Sequence, residues 1–203
     1  MGIILKENSV ISYNNDDSME RIRLEKEYLN YIIEHINFVK QAYVMYMVPL
    51  LEKNTISHLL SDKEIKDAIE ELSLYIEQHD ASKFSDAEFD GYRQKYYPTK
   101  AEKNCTKEEQ QIIDDRYNEC WVHHYKVNEH HPKHWVDPDT NVPRDMTLRA
   151  IIEMICDWEA MSLKFKSNTL EWYTNDAEDE KAAMTDNTKK IVEELLFNVI
   201  HNS

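Results

Sequence analysis

The sequence predicts an all-α protein, folded as a single-domain helical bundle over residues 1–203 with residues 1–16 as a loose N-terminal arm. Only two glycines and five prolines occur in the chain, and runs of Glu, Lys, Leu, Ile and Met favour helix. No alternating pattern typical of strands and no hairpin turn is present. The glycine-rich loops of P-loop and dinucleotide-binding sites are also absent, so bound phosphate must be held in another way.

Capping patterns and prolines predict the helix boundaries. A first long helix is expected from about residue 19 to residue 53, kinked or interrupted at Pro49, which cannot donate a backbone hydrogen bond. The capping-box pattern occurs at Ser85-x-x-Glu88, before a short helix, and at Thr106-x-x-Glu109, before a helix with clustered histidines. The remaining predicted elements are a helix ending at residue 80, a loop over 132–145, and helices over 147–166 and 186–200.

His79 and Asp80 continue an apolar helical stripe. Its members are spaced by four, three and four residues, as on the buried face of an amphipathic helix; they are Ile65, Ile69, Leu72 and Ile76. We therefore expect both polar side chains to point inward, where hydrogen-bonding neighbours or a cation must compensate their burial. The alternative is a helix that has reached the surface by residue 79.

Two other predicted helices carry metal-binding residue types on apolar faces. His35 lies three residues after Ile32, although a histidine in such a position is more often a core residue than a ligand. Asp157 lies in an apolar segment between Met154 and Met161, where a carboxylate is costly unless it is paired. Together with His79 and Asp80, these residues offer two imidazoles and two carboxylates, a set that can bind one divalent metal.

Five of the nine histidines lie within twelve residues, from His123 to His134. Pro132 disfavours helix at His131, and the helix could fray at Asn128, so the chain could fold His130 or His131 back. At least one histidine of each adjacent pair is expected to cap the helix or to face solvent, because neighbouring helical residues diverge by about 100°.

Two arrangements stay open. In the first, which the residues favour, one metal takes His35, His79, Asp80 and Asp157, and the histidine cluster supplies substrate-binding groups or a general acid. In the second, Asp80 bridges to another metal that histidines from the cluster hold, the candidates being His123, His124, His130 and His131.

The ordered set His35, His79-Asp80 and Asp157, with Lys83 completing His-Asp-x-x-Lys, resembles the HD-domain superfamily of metal-dependent phosphohydrolases over about residues 28–166. The chain is also similar to an uncharacterised bacterial and phage family with the pattern His-His-x-x-x-Asn-x-His-His-Pro. The resemblance implies an HD-type bundle in which these four residues bind metal and Lys83 contacts substrate phosphate or the attacking water. The second arrangement resembles the binuclear branches of the superfamily.

One branch of that superfamily hydrolyses cyclic dinucleotides, and this chain lacks the Gly-Tyr-Pro motif expected there after His130-His131. Its size and early ligand set are closer to the compact branch that dephosphorylates nucleoside monophosphates.

The predicted function is hydrolysis of a small phosphate ester, with a nucleotide as the expected substrate class. One or two divalent transition-metal ions (Mn, Fe, Co, Ni or Zn) would lower the pKa of a bound water and polarise the phosphoryl oxygen. Asp80 would act as a catalytic metal ligand, shared between two ions only in the second arrangement. Lys83 would stabilise charge on the phosphate, and His124 would protonate the leaving oxygen. Arg93 and Lys164 are further candidate phosphate contacts, although such residues are more often solvated helix charges.

Two other functions remain open at this point. His and carboxylate ligands around two irons also suit an oxygenase on the same scaffold. In a third hypothesis the protein is a non-catalytic helical binding protein that a metal stabilises.

The net charge of −15 argues against general nucleic-acid binding and against an anionic membrane surface, since both need a basic footprint. It allows a small phosphorylated substrate, because a bound metal reverses the local field. The longest uncharged apolar run, Tyr43–Leu51, is too short to span a bilayer. Three cysteines without metal-type spacing predict reduced thiols in a cytoplasmic protein, and the oligomeric state stays open.

Overall fold

The computed structural model describes residues 15–52 and 62–201, with the side chains of all except 15–17, 52, 62, 64–70 and 198–201. These residues contain no β-strand, only an isolated antiparallel bridge between Val136 and Pro143, so the all-α fold class is confirmed. The described α-helices are α1 Asn15–Ala42, α2 Val48–Glu52, α3 Asp62–Glu77, α4 Phe89–Tyr96, α5 Lys100–Lys103, α6 Lys107–Val127, α7 Leu148–Phe165, α8 Thr169–Asn175, α9 Glu178–Ala182 and α10 Asp186–His201. Every helix in this part of the chain is too short or too polar to cross a lipid bilayer.

The chain divides into two compact units. The first comprises Met1–Tyr31 and Lys83–His123, and the second comprises Ile32–Ser82 and His124–Ser203. Helices α1 and α6 each begin in the first unit and end in the second. One domain over residues 1–203 stays a prediction, and most of the predicted N-terminal arm lies outside the described residues.

The predicted interruption near Pro49 is confirmed, and it takes the form of a widened turn. The α-helical pattern of α1 stops at Ala42, and Tyr43–Met47 form a π-helical turn before α2 begins. Val48 donates its backbone N–H to the carbonyl of Tyr43, five residues back. The proline ring would clash with the carbonyl four residues before it in a regular helix, and the wider turn moves that carbonyl away.

Helix α7 forms the centre of the second unit. The helices α3, α8 and α10 and the π-helical turn pack against it. Thr147 caps its first turn by accepting a hydrogen bond from the backbone N–H of Ala150. Leu72 and Ile76 of α3 are buried, as the apolar stripe predicts, whereas the side chains of Ile65 and Ile69 lie outside the described residues. The core side chains on α7 and α10 include Ile151, Ile152, Ile155, Leu195 and Leu196.

Capping boxes order the first unit. Thr106 and Glu109 form the predicted reciprocal pair at the start of α6. Thr99 and Glu102 form a second capping box, at α5, which was not predicted.

The capping box predicted at Ser85 and Glu88 was wrong. Glu88 is itself the N-cap residue of α4, and no side chain caps that end. The Glu88 carboxylate is instead buried and pairs with His123.

Candidate metal centre

Four of the predicted ligands come together in the second unit, from α1, from the segment after α3 and from α7. His35 Nε2 lies 3.0 Å from Asp157 Oδ1 and 3.3 Å from His79 Nε2. Asp80 Oδ2 lies 3.6 Å from Nε2 of each of these two histidines. The distance between His79 Nε2 and Asp157 Oδ1 is 3.7 Å. We call this set the first ligand group.

Asp80 reaches the group through its backbone conformation and not along a helix. Helix α3 ends at Glu77, and Asp80 has φ of 57°, in the left-handed region. The expectation that α3 continues to residue 80 was therefore wrong. Aspartate is among the residues that tolerate this region. The turn lets the adjacent side chains of His79 and Asp80 point into one site.

A second ligand group forms around the other oxygen of Asp80. His124 Nε2 lies 3.2 Å from Asp80 Oδ1, and His130 Nε2 lies 3.7 Å from the same oxygen. One ligand atom from each of these three residues and from His131 lies within 4.8 Å of the others.

The path of the chain after α6 explains this second group. Helix α6 ends at Val127, His131 donates its backbone N–H to Asn128, and a 3₁₀ turn begins at Pro132. The change of direction brings His130 and His131 back toward His124. His130 and His131 thus belong to the same ligand group. This differs from the expectation that at least one histidine of each adjacent pair caps the helix or faces solvent.

The distances within both groups fit bound metal ions. Metal–ligand bonds of about 2.1 Å place neighbouring ligand atoms about 3.0 Å apart in an octahedron and about 3.4 Å apart in a tetrahedron. The contacts of 3.0 to 3.7 Å given above lie in or close to this range. In addition, His130 Nε2 is buried and makes no hydrogen bond within the described residues. A cation would give this nitrogen the partner that its burial requires.

A third acid, Glu153, contacts a histidine of each group. Its Oε1 lies 3.1 Å from Nδ1 of His79 and 3.1 Å from Nδ1 of His130. Glu153 was not among the predicted site residues, although it lies four residues before Asp157 on the apolar helix α7. A buried acid one helical turn from a predicted ligand was the signal that could have found it.

The carboxylates control protonation in this region. Burial acts to lower the pKa of His79, but Asp80, Asp157 and Glu153 outweigh it and raise that pKa to about 10. Burial acts to raise the pKa of Glu153, but hydrogen bonds from His130 and His79 lower it to about 2. The same balance, with His35 and His79 as partners, holds the pKa of Asp157 well below its usual range. Glu153 and Asp157 are thus anions at neutral pH.

His131 shows the opposite behaviour. Burial, together with the neighbouring imidazoles of His130 and His124, holds its pKa well below the usual range. A neutral imidazole is the form that binds metal.

His124 occupies a ligand position. Its Nε2 faces Asp80, whereas its Nδ1 lies 3.3 Å from Ser82 Oγ and 3.1 Å from Asn128 Nδ2. Both ring nitrogens therefore have partners, and the role of His124 as general acid stays a prediction.

His123 lies in the first unit, where its Nδ1 is 2.8 Å from Glu88 Oε1, and it belongs to neither ligand group. Lys83 also belongs to that unit, and its Nζ lies 5.5 Å from the ring centroid of Tyr92. Contact of Lys83 with substrate phosphate stays a prediction.

Two candidate phosphate contacts have other partners. Arg93 is fully buried, and its terminal nitrogens lie 2.6 and 2.7 Å from the two carboxylate oxygens of Glu102. This geometry gives Arg93 a structural role instead of the predicted contact with substrate. Lys164 Nζ lies 2.7 Å from Glu34 Oε2.

The segments that carry His124, His130 and His131 also line a cavity of about 690 Å³. Its cationic side chains come from Lys126, Lys133 and Arg144. Asp137 and Asp179 line it too, and the carboxylate of Asp137 already accepts three hydrogen bonds from residues 139 and 140. The cavity volume is in the range of small-molecule sites, and its three cationic side chains outnumber its two carboxylates.

The resemblance to the HD-domain superfamily stays a prediction, and no curated protein and no solved structure matches the chain. A protein-family model, described as "Family of unknown function (DUF5662)", matches residues 24–198. The matched span includes both ligand groups and Glu153. Because the match covers most of its length, the chain belongs to this family of unknown function.

Proposed function

We propose that the protein is a metal-dependent phosphohydrolase that binds two divalent transition-metal ions and hydrolyses a small phosphate ester. The observation that carries this proposal is the orientation of Asp80, whose Oδ2 faces His35 and His79 while its Oδ1 faces His124 and His130. One carboxylate would thus bridge two ions. Such pairs of ions act as Lewis acids on a phosphoryl oxygen and lower the pKa of bound water.

The charges of the site suit an anionic substrate. Asp80, Asp157 and Glu153 together carry three negative charges, and two divalent ions would bring four positive charges. The histidine ligands add no charge in their neutral, metal-binding form. The centre would therefore be positive overall, within a chain whose net charge is −15.

The cationic cavity supports a phosphorylated substrate that extends beyond its reacting group. Lys126 and Arg144 are exposed and form no ion pair within the described residues, so a ligand can engage them. The cavity is large enough for a small nucleotide. In this proposal Lys126, Lys133 and Arg144 hold anionic groups of the substrate, in place of the predicted Arg93 and Lys164.

Metal content and phosphate release test the proposal together. The protein should bind two ions per chain, and it should release phosphate from at least one nucleotide when assayed with Mn²⁺, Co²⁺, Fe²⁺, Ni²⁺, Zn²⁺ and Mg²⁺. Asp80→Ala should lose both ions and all turnover. Asp139→Ala, which changes an exposed carboxylate, should keep both ions and the wild-type turnover. Arg144→Ala should raise KM and leave metal content unchanged.

The outcomes separate the alternatives. Two bound ions with no turnover on any phosphate ester would leave a metal-stabilised binding protein. No bound metal, even after reconstitution, would exclude every metal-dependent function.

A di-iron oxygenase is the second candidate, and the number of histidines favours it. Five imidazoles and two carboxylates lie in the two ligand groups, a donor set that also suits two irons. An optical change of the iron-loaded protein that depends on oxygen, without phosphate release, would support this candidate.

A further inference from the structure

Glu153 is placed so that one oxygen atom serves both ligand groups. The distance from Oε1 is 3.1 Å to Nδ1 of His79, in the first group, and 3.1 Å to Nδ1 of His130, in the second. The contact with His79 has the geometry of a hydrogen bond, whereas the contact with His130 is close but not aligned as one. The two imidazole rings lie close together, with centroids 4.4 Å apart. Among the described residues, Glu153 is the side chain that contacts the Nδ1 atoms of both rings, and it is itself 4% exposed.

The chemistry of histidine gives this contact a specific consequence. An imidazole that binds metal through Nε2 carries its proton on Nδ1, and that N–H needs an acceptor. A carboxylate in this position fixes the tautomer and the orientation of the ring and makes the ligand nitrogen more basic. Here the single carboxylate of Glu153 would orient His79, a ligand of one ion, and His130, a ligand of the other.

The position of the Glu153 carboxylate is itself constrained. It projects from α7, whose neighbouring residues Ile152 and Met154 are buried in the core. Its second oxygen, Oε2, lies 3.9 Å from Arg149 Nη1. Arg149 in turn stacks on Tyr75, with its guanidinium carbon 3.5 Å from the ring centroid. Movement of this carboxylate toward one histidine would therefore change its distance to the other.

We infer that Glu153 is a positioning residue shared by the two ligand groups and that it couples the binding of the two ions. An ion bound through His79 Nε2 would keep the proton on Nδ1, directed at Glu153, and would fix the carboxylate, which would then hold His130 in the orientation that the second ion needs. The same holds in the opposite order, because coupling between two binding events is reciprocal. This inference rests on the two-ion centre proposed above, but not on its hydrolytic activity.

Titration of the metal-depleted full-length protein with Co²⁺ tests the coupling. Calorimetry gives the two affinities, and the visible absorption of Co²⁺ reports the ligand geometry. The wild type should bind two ions with positive cooperativity. Glu153→Ala should weaken both ions by about 10- to 100-fold, the usual effect of removing such a partner, and should abolish the cooperativity.

Two further variants keep the test decisive if Glu153→Ala does not fold. Glu153→Gln retains an oxygen that can accept both N–H groups but loses the charge, so its affinities should lie between those of the wild type and the alanine variant. Glu159→Gln removes another buried carboxylate from the same helix, one that pairs with Thr169 and not with a histidine. Its affinities and Co²⁺ spectrum should equal those of the wild type.

Several results would overturn the inference. If both Glu153 variants bind Co²⁺ with wild-type affinities, Glu153 does not position the ligands. If the variants weaken the affinity for only one ion, Glu153 does not couple the two binding events. A single ion per chain that Asp80→Ala retains and Glu153→Ala loses would mean that Glu153 is itself a ligand, with His79 and His130.

The failure of this inference differs from that of the proposed function. Coupled binding of two ions in a protein without phosphatase activity would support the inference and exclude the phosphohydrolase. An active enzyme whose Glu153→Gln variant binds both ions as tightly as the wild type would exclude only the inference.

Discussion

Replacing Arg93 by methionine should destabilise the protein strongly, because the guanidinium neutralises a buried carboxylate. Arg93 and Glu102 are both buried and are joined by two hydrogen bonds. Burial acts to raise the pKa of Glu102, but hydrogen bonds from Arg93, Thr99 and Gln94 lower it from 4.5 to about 2. This difference corresponds to roughly 3 kcal/mol of folding free energy, and breaking a buried ion pair typically costs about 3–5 kcal/mol.

The sign of the pH dependence separates this effect from general damage. In the wild type, the contribution of Glu102 is fully present above pH 4.5 and is lost as the pH falls through about 2. In Arg93→Met, burial should raise the pKa of Glu102 above 4.5, so the stability lost at pH 7 should partly return as the pH falls toward 4.5. Urea unfolding followed by circular dichroism, at several pH values between 7 and 4, measures how the free energy of unfolding changes with pH in the wild type and in Arg93→Met.

A double variant provides the control for this prediction. Glu102→Gln removes the charge and keeps an acceptor for the backbone N–H of Thr99, so Arg93→Met/Glu102→Gln should be more stable than Arg93→Met alone. If Arg93→Met instead leaves stability unchanged and raises KM for substrate, Arg93 contacts substrate and the structural role is wrong.

Three smaller changes test other parts of the structure. Gly91→Ala places a Cβ 2.3 Å from Cys120 Sγ, so it should lower the free energy of unfolding by about 1–3 kcal/mol in a urea melt. Adding Cys120→Ala should restore part of this stability. Wild-type stability of Gly91→Ala alone would contradict the clash. Thr106→Ala removes the first cap of α6 and should cost about 1 kcal/mol by the same measurement, whereas an unchanged midpoint would show that the cap contributes nothing. His123→Gln removes the contact with buried Glu88, so it should lower the free energy of unfolding. Elemental analysis should still find the wild-type metal content. Loss of metal in this variant would mean that His123 is a metal ligand.

Features that depend on local sequence could be predicted well. The cap at Thr106 is formed within one helical turn, and the interruption before Pro49 follows from a missing N–H group. Spacing along a helix also identified Leu72 and Ile76 as buried. These predictions need no knowledge of which elements meet in the folded chain.

Features that depend on two distant segments could not be predicted in the same way. The pair formed by His123 and Glu88 joins residues 35 positions apart, and the contact between His79 and Glu153 joins residues 74 positions apart. Each acid was available in the sequence, but no local pattern states which histidine it meets.

The choice between the two metal arrangements was open for a related reason. It depends on the direction of the chain between Asn128 and Pro132, where a helix end and a 3₁₀ turn return His130 and His131 to His124. Pro132 predicts that the helix ends before it, but it does not predict the direction of the chain beyond the helix end.

The conformation of Asp80 links the backbone to the chemistry of the site. If α3 had continued, His79 and Asp80 would point about 100° apart, and only one of them could face the site. The left-handed turn at φ of 57° removes that restriction, at a cost of about 1–2 kcal/mol for a residue other than glycine. Glycine would adopt this conformation at lower cost, but it has no carboxylate. A residue in the left-handed region is thus the one whose two oxygens face the two ligand groups, so the side chain, and not the local backbone, explains why aspartate occupies this position.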